Sequence, residues 1–261
     1  MRGLALATML LPAIACAGDD FVRVPAGAYR SALGYVDVKG DTAVAAFDFM
    51  ATPVTNAQYL AFVQAHPEWR RDRVVPVYAD AAHYLANWKA PLDPGDAAKP
   101  RQPVTGVSWF AASAYCEAAH ARLPTWVEWE YTAAADETRR DARDDPAWRE
   151  RILGWYAKPS SAPLAEAGVS PSNVYGVRDL HGLVWEWVED FGSLLVIDDS
   201  RDPADAIGLK FCGSGALNMR DVDNYAVLMR VALLSSVQAA DSTSSLGFRC
   251  ARSVAAEGTP P

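Results

Sequence analysis

The sequence predicts an α+β protein in which short strands and short helices are joined by long irregular segments. Apolar, β-favouring residues at 21–29 and 47–55 indicate two strands near the amino terminus. Apolar residues at helical spacing indicate helices over 56–63, 109–121 and 126–135. The chain of 261 residues contains nine Trp and ten Tyr. Such side chains fill irregular interiors well, because each combines a large apolar area with a polar atom.

Three polar residues mark where these helices begin. Thr55, Ser108 and Thr125 each precede a helical segment, and their side chains can accept hydrogen bonds from its first backbone N–H groups. Glu128 stands three residues after Thr125, which is the spacing of a capping box. The charge-dense residues 137–150 are typical of a solvated helix or insertion.

The carboxyl-terminal third contains shorter signals. The apolar run at 226–234 is interpreted as a buried strand, and 184–188 and 248–251 as short strands. No internal repeat and no interdomain linker is visible in the sequence. We therefore expect one domain over residues 18–253, followed by a flexible tail at 254–261.

Residues 1–17 have the composition of a secretory signal peptide. Arg2 supplies the positive end, an apolar run follows, and cleavage is expected after Ala17. The run is too short for a stable membrane span. Acylation of Cys16 and a retained anchor are the alternatives, but no Leu stands three residues before Cys16. The sequence therefore predicts a periplasmic or secreted protein without a membrane span in its mature form.

Charge and motif content exclude several functions. The formal net charge is −8, so we do not expect a nucleic-acid partner. The chain has no G-x-S-x-G, P-loop or Rossmann glycine motif. Its four His residues lack the spacing of a metal site. His120 is expected to cap a helix end, and His181 to be structural or solvent-facing in a turn.

Seven sequence blocks, taken in order, resemble the formylglycine-generating enzyme (sulfatase-modifying factor) family. The blocks are residues 21–27, 52–62, 102–109, 114–116, 122–131, 173–187 and 246–250. The resemblance implies a variant C-type-lectin-like fold with little regular secondary structure. It also implies a disulfide between Cys116 and Cys250, which would leave Cys212 as a free thiol.

The sequence departs from the family at the copper site. Members that form formylglycine hold Cu(I) between two nearby cysteines, because this ion prefers soft thiolate ligands. No cysteine lies between Cys212 and Cys250. Alignment from the first of these places Leu217 at a cysteine position, and alignment from the second places Asp221 and Ala226 at the pair. We therefore expect neither copper nor copper-dependent formylglycine formation.

The family's calcium ligands are also incomplete. Calcium requires six to eight oxygen ligands. The resemblance implies Glu186 as one of them, but Leu183 stands where the family has a ligating Asn. Calcium at Glu186 is therefore the only metal expectation that the resemblance leaves.

The segment around residues 218–234 lines a peptide-accepting groove in the family. The resemblance therefore indicates a set of polar residues as candidates for recognising a ligand. These candidates are Arg220, Asp221, Asp223, Asn224, Tyr225 and Arg230.

Two functions fit this sequence. The first is an exported pseudoenzyme that binds a protein or peptide partner. The sequence resembles family members from bacterial gene neighbourhoods of copper nitrite reductase, which implies maturation or support of a periplasmic copper enzyme such as that reductase. The second is a periplasmic oxidoreductase that acts on a peptide or peptide-derived substrate without cysteine chemistry. It would need an acid–base set made of Asp221, Tyr225, Arg230 and Glu186.

Overall fold

The structure, a computed structural model, describes residues 21–33, 40–157, 163–194 and 225–254. Within these ranges the strands are β1 Phe21–Val24, β2 Gly27–Tyr29, β3 Thr42–Val44, β4 Phe47–Met50, β5 Trp185–Glu186, β6 Leu246–Gly247 and β7 Ala251–Ser253. The α-helices are α1 Asn56–Ala65, α2 Trp109–Ala118, α3 Trp126–Ala133, α4 Pro146–Tyr156 and α5 Tyr225–Ser236. Short 3-10 turns occupy Pro67–Trp69 and Phe191–Ser193. This confirms the predicted α+β class with short elements.

The main sheet joins the two ends of the domain. Strand β4 lies between β1 and β7 and pairs antiparallel with both. Its buried Phe49 pairs with Val22 on one side and with Ala251 on the other. Strands β2 and β3 form an antiparallel pair, whereas β5 and β6 pair in parallel. The β5–β6 pair places Glu186 beside Gly247, which brings two distant blocks of the sequence together.

Aromatic side chains fill the core, as the composition predicts. The rings of Tyr59, Tyr115 and Phe248 contact one another, with centroids 5.3 Å apart for the nearest pair and 6.1 Å for the farthest. The hydroxyl groups of Tyr59 and Tyr84 form a hydrogen bond of 2.7 Å, and that of Tyr84 donates to the carbonyl of Trp69. The polar ends of these buried rings are therefore satisfied, which avoids the cost of an unpaired polar group.

The predicted helix starts are confirmed. The side chains of Thr55, Ser108 and Thr125 each accept a hydrogen bond from a backbone N–H in the first turn that follows. Thr125 and Glu128 form the expected capping box. Helix α2 ends before His120, whose backbone adopts the left-handed conformation with φ of 54°. His120 therefore lies in the turn that closes this helix.

The prediction of a strand at residues 226–234 is wrong, because this segment belongs to helix α5. The run is rich in Ala, Leu and Met, which favour helices. A continuous apolar run also has no periodicity that distinguishes a helix from a buried strand. The strand expected at 184–188 is reduced to the two residues of β5, and the one at 248–251 is replaced by β6 and β7 on either side.

A disulfide links helix α2 to the segment between β6 and β7. It joins Cys116 and Cys250, the pairing that the family resemblance implies, with Cα atoms 5.5 Å apart. Both residues are buried, and the carbonyl of Cys250 accepts a hydrogen bond from Met50 N–H at the end of β4. The bridge thus ties a central helix to the main sheet. Within the described ranges, no helix combines the length and apolar content required to cross a bilayer.

Gly247 lies where β6 passes close to another backbone segment. A Cβ atom at this position would lie 2.6 Å from the carbonyl oxygen of Val104. The Val104 backbone is itself held by a hydrogen bond to Val54, so it cannot move aside easily. We expect Gly247→Ala to lower the free energy of unfolding by about 2 kcal/mol, measured by chemical denaturation. The control is Gly154→Ala on α4, whose Cβ would meet nothing within 4 Å; an equal loss in both variants would contradict the prediction.

Candidate functional site

The sequence-predicted ligand residues precede α5 or belong to it, and most fall outside the described part of the chain. That group comprises Arg220, Asp221, Asp223 and Asn224, together with the predicted free thiol Cys212. Tyr225 is the first residue of α5, and only its backbone is described. Arg230 is 2% exposed, so this candidate points into the protein. The groove assignment of the other five residues stays a prediction.

Glu186 is held inside the protein by a second sequence block. Its carboxylate accepts hydrogen bonds from the guanidinium of Arg249, with a shortest contact of 2.8 Å, and from the indole N–H of Trp129 at 2.8 Å. Glu186 and Arg249 are both fully buried. The guanidinium also donates to the carbonyl of Met50, which connects the pair to the main sheet. This buried ion pair fastens β5 to the segment after β6.

The geometry at Glu186 does not fit a calcium ion. Both carboxylate oxygens already accept hydrogen bonds, and a calcium ion would have to displace the guanidinium of Arg249. Leu183 supplies no side-chain oxygen. Within the described residues, no group of three or more His, Cys, Asp or Glu could hold a metal ion. Calcium binding by Glu186 therefore stays a prediction that gains no support from this arrangement.

Arg230 packs against the same buried cluster from helix α5. Its guanidinium carbon lies 3.6 Å from the ring centroid of Trp129, a cation–π contact. It donates to the backbone carbonyl of Glu186, while its Nε has no hydrogen-bond partner in the described structure. Burial lowers the pKa of Arg230 to about 10, so the side chain remains charged at neutral pH. Arg230 therefore belongs to the interior packing of α5.

Position 226, which one alignment places at a copper cysteine, is occupied by a packed alanine. Ala226 is buried against Trp148 and Ile152 of α4. Its carbonyl accepts a hydrogen bond of 3.0 Å from the hydroxyl of Tyr156. A Cu(I) dithiolate needs two thiolate ligands, and this position offers only a methyl group. The residues present do not fit a copper ion here.

His181 lies between two Trp rings. Its ring contacts Trp129 and Trp148 edge-to-face, at centroid distances of 5.7 and 5.5 Å. Its Nε2 lies 2.9 Å from the carbonyl of Ala133 and donates to it. Burial, together with the charges of Arg230 and Arg151, lowers the pKa of His181 to about 4. His181 is therefore neutral and structural. This is one of the two roles, structural or solvent-facing, expected from the sequence.

This low pKa predicts a dependence of stability on pH. The unfolded imidazole binds a proton below about pH 6.5, whereas the folded one remains neutral until about pH 4. The contribution of His181 is therefore present above pH 6.5 and is lost as the pH falls towards 4. We expect neutral His181, whose ring is half-buried, to contribute about 2 kcal/mol to the free energy of unfolding above pH 6.5. Unfolding curves of the wild type and of His181→Asn at pH 7.5 and 4.5 measure it; an identical pH dependence in both proteins would contradict the assignment.

A polar surface cleft lies between the irregular segment after α1 and the segment after α5, and sequence reasoning did not identify it. Its volume is about 490 Å³. The lining residues are Asp80, His83, Ala86, Asn87, Gly106, Asp241, Ser242, Thr243 and Ser244. Backbone hydrogen bonds from Asp80 to Ala240 and from Gly106 to Thr243 hold the two walls together. This cleft lies beside the chain that continues from the end of α5.

Two lining residues of the cleft carry polar atoms without partners. The hydroxyl oxygen of Ser242 and the Oδ1 atom of Asn87 are buried and have no hydrogen-bond partner in the described structure. Ser242 is 6% exposed. Buried polar atoms are normally paired by protein, water or ligand. Two residues that line the cleft therefore carry a buried acceptor and a buried hydroxyl that the described protein leaves unpaired.

Two carboxylates give the cleft a negative charge. The carboxylate of Asp80 accepts hydrogen bonds from the ring of His83 and from Ala82 N–H, and these bonds lower its pKa. The carboxylate of Asp241 accepts a hydrogen bond of 2.8 Å from Gln238 N–H. Asp80 is therefore ionised at neutral pH, and Asp241 carries a charge of the same sign. A cleft of this charge favours a cationic group.

The sequence contained a signal for this cleft, although a weak one. The polar residues 241–245 stand directly before the block that ends at Cys250. Asp80 and His83 lie in the irregular stretch between α1 and α2, where no periodic pattern fixes their position. Only the folded backbone shows that the two segments meet.

This domain, with α+β elements around an aromatic core and a polar cleft, matches the family described as "Sulfatase-modifying factor enzyme 1-like domain" over residues 10–254. The chain belongs to this family. It is 26% identical to the formylglycine-generating enzyme of Bos taurus, over 88% of this chain and 74% of that enzyme. It is 33% identical to the enzyme of Streptomyces coelicolor, over 64% of this chain and 58% of that enzyme.

Some relatives carry the word inactive in their names. The inactive C-alpha-formylglycine-generating enzyme 2 of Mus musculus is 35% identical over 39% of this chain and 37% of that protein. Among solved structures, CarF aligns with a TM-score of 0.49 and 19% identity, over 91% of this chain and 99% of that one. PvdO from Pseudomonas aeruginosa aligns with a TM-score of 0.43 and 17% identity, over 90% of this chain and 94% of that one.

Proposed function

We propose that this protein is an exported member of the family that does not form formylglycine through copper, and that it binds a partner in the cleft between Asp80 and Asp241. Its partner is a peptide segment, free or in a larger protein of the periplasm. We propose that this binding supports or matures a periplasmic copper enzyme such as nitrite reductase. The absence of a cysteine between Cys212 and Cys250 supports the loss of copper chemistry. The packed Ala226 adds to this.

One observation carries the binding function: Asn87 and Ser242 line a cleft that also carries two carboxylates, and each has a buried polar atom without a hydrogen-bond partner in the described structure. A peptide backbone alternates N–H donors and carbonyl acceptors, so it can pair with the amide oxygen of Asn87 and with the hydroxyl of Ser242. The carboxylates of Asp80 and Asp241 favour a Lys or Arg side chain on that peptide. The ligand class is therefore an extended peptide with a basic residue.

A random peptide display library, selected on the purified full chain with its disulfide intact, tests this function. We expect enrichment of peptides that contain Lys or Arg, and at least tenfold weaker binding of an enriched peptide to Asp80→Asn/Asp241→Asn. The matched control is Asp144→Asn, because Asp144 lies outside the cleft and its side chain is 96% exposed. No enrichment, or equal loss in the control, would contradict the proposal.

The role in supporting a copper enzyme has a separate test. We expect purified periplasmic copper nitrite reductase, or its unfolded precursor, to compete with an enriched peptide for the cleft. Failure to compete would contradict the role in supporting a copper enzyme, but it would not contradict peptide binding. The alternative oxidoreductase gains no specific support, because Glu186 and Arg230, two members of its proposed acid–base set, are buried and engaged in interior contacts.

A further inference from the structure

An exposed apolar loop lies next to the proposed cleft. Val75, Val77 and Tyr78 are 54%, 65% and 45% exposed. They account for three of the seven large apolar residues that are exposed in the described part of the chain. A turn, closed by a hydrogen bond of 2.9 Å from Tyr78 N–H to the carbonyl of Val75, holds them together. Such concentration within four residues is typical of an interaction surface.

The loop packs against two aromatic rings of neighbouring elements. The ring of Tyr78 lies 5.3 Å from that of Phe110 and 6.0 Å from that of Trp69. Phe110 belongs to helix α2 and Trp69 to a short 3-10 turn. A partner residue that docks on this loop therefore meets a supported surface, which reduces the entropy lost on binding.

Backbone hydrogen bonds join the start of α2 and a residue just after the loop to the same stretch of chain, Ala239 and Ala240. Trp109 N–H donates to the carbonyl of Ala239 at 2.9 Å, and Asp80 N–H donates to the carbonyl of Ala240 at 2.8 Å. The segment before Asp241 thus runs between the start of α2 and the end of the loop. Asp80, two residues after Tyr78, lines the cleft itself. A single extended peptide can therefore reach both the loop and the cleft.

We propose that the loop Val75–Pro76–Val77–Tyr78 is a second recognition element for the peptide that occupies the cleft. The basic residue of the peptide lies between Asp80 and Asp241, and a neighbouring apolar or aromatic residue packs on Val77 and Tyr78. This inference rests on the proposed peptide binding and adds the apolar side chain to the ligand class. Charge selects the peptide at the cleft, and apolar burial on the loop increases its affinity.

The same random peptide display library tests the loop separately from the cleft. On the wild type we expect Lys or Arg together with an apolar or aromatic residue at a fixed spacing. On Val77→Ser/Tyr78→Ser we expect the basic preference to persist and the apolar preference to disappear. An enriched peptide should bind this variant about tenfold more weakly, as expected for the loss of one apolar contact.

Two controls keep the outcome interpretable. Val77→Ser alone changes a residue that is 65% exposed, so it tests the loop without loss of the Tyr78 ring contacts. Val169→Ser changes an equally exposed valine elsewhere, at 63%, and should bind like the wild type. Enrichment of basic residues without an apolar preference would overturn the loop inference and leave the proposed function standing. No enrichment at all would overturn both.

Discussion

Replacement of Glu186 by Gln is expected to lower the free energy of unfolding by about 3–5 kcal/mol, the usual cost of breaking a buried ion pair. The carboxylate is fully buried and lies between the guanidinium of Arg249 and the indole of Trp129. Its loss would leave Arg249 without a carboxylate among the described residues. Arg230, which contacts the backbone of Glu186, would lose the favourable charge of this carboxylate as well. Chemical denaturation at neutral pH measures the effect.

A surface ion pair is the matched control for Glu186→Gln. Lys89 and Asp93 lie 3.3 Å apart, and their side chains are 75% and 49% exposed. Solvent and salt screen such a pair, so Lys89→Gln should change stability by less than about 1 kcal/mol. Comparable losses in the two variants would show that the buried charge cluster is not what holds β5 against the segment after β6.

Removal of the disulfide is the second change with a large expected effect. The double variant Cys116→Ser/Cys250→Ser should lose about 4–5 kcal/mol, because the bridge restricts a loop with a sequence separation of 134 residues in the unfolded chain. Denaturation of the wild type with and without a reductant should show the same difference. The unreduced double variant should behave like the reduced wild type.

Thiol counting controls this second experiment. Cys212 is the predicted free thiol, so the mature unfolded chain should react with one equivalent of an alkylating reagent before reduction and three after it. Cys212→Ser should have an unfolding midpoint close to that of the wild type. Three reactive thiols before reduction, or no change in stability on reduction, would contradict the bridge between Cys116 and Cys250.

Helix starts and the family assignment could be predicted from sequence, because they depend on local chemistry. Thr55, Ser108 and Thr125 cap helices through hydrogen bonds to residues three positions away, and this spacing is visible without a structure. Helix α5 was not predicted, because a run that is apolar apart from Arg230 carries no clear periodicity. Its burial between the Glu186 cluster and α4 depends on contacts that are distant in sequence.

The candidate site was predicted only in part. The absence of the copper ligands is a property of the sequence alone, and Ala226 in the structure agrees with it. Glu186 and Arg230 looked available for a ligand, but Arg249 and Trp129, far away in sequence, engage them in the interior. The cleft between Asp80 and Asp241 depends on backbone pairing between two irregular segments. The polar residues 241–245 are a weak local signal, but no local pattern shows which segment they meet.

The most direct test of the account uses a peptide that carries the Cys-x-Pro-x-Arg sequence of sulfatases. The purified protein, supplied with Cu(I) and oxygen, is incubated with this peptide, and mass spectrometry follows the cysteine. The formylglycine-generating enzyme of Streptomyces coelicolor serves as the positive control. We expect the cysteine thiol to persist with this protein, whereas the control enzyme converts it. Catalytic appearance of the aldehyde product with this protein would contradict this expectation.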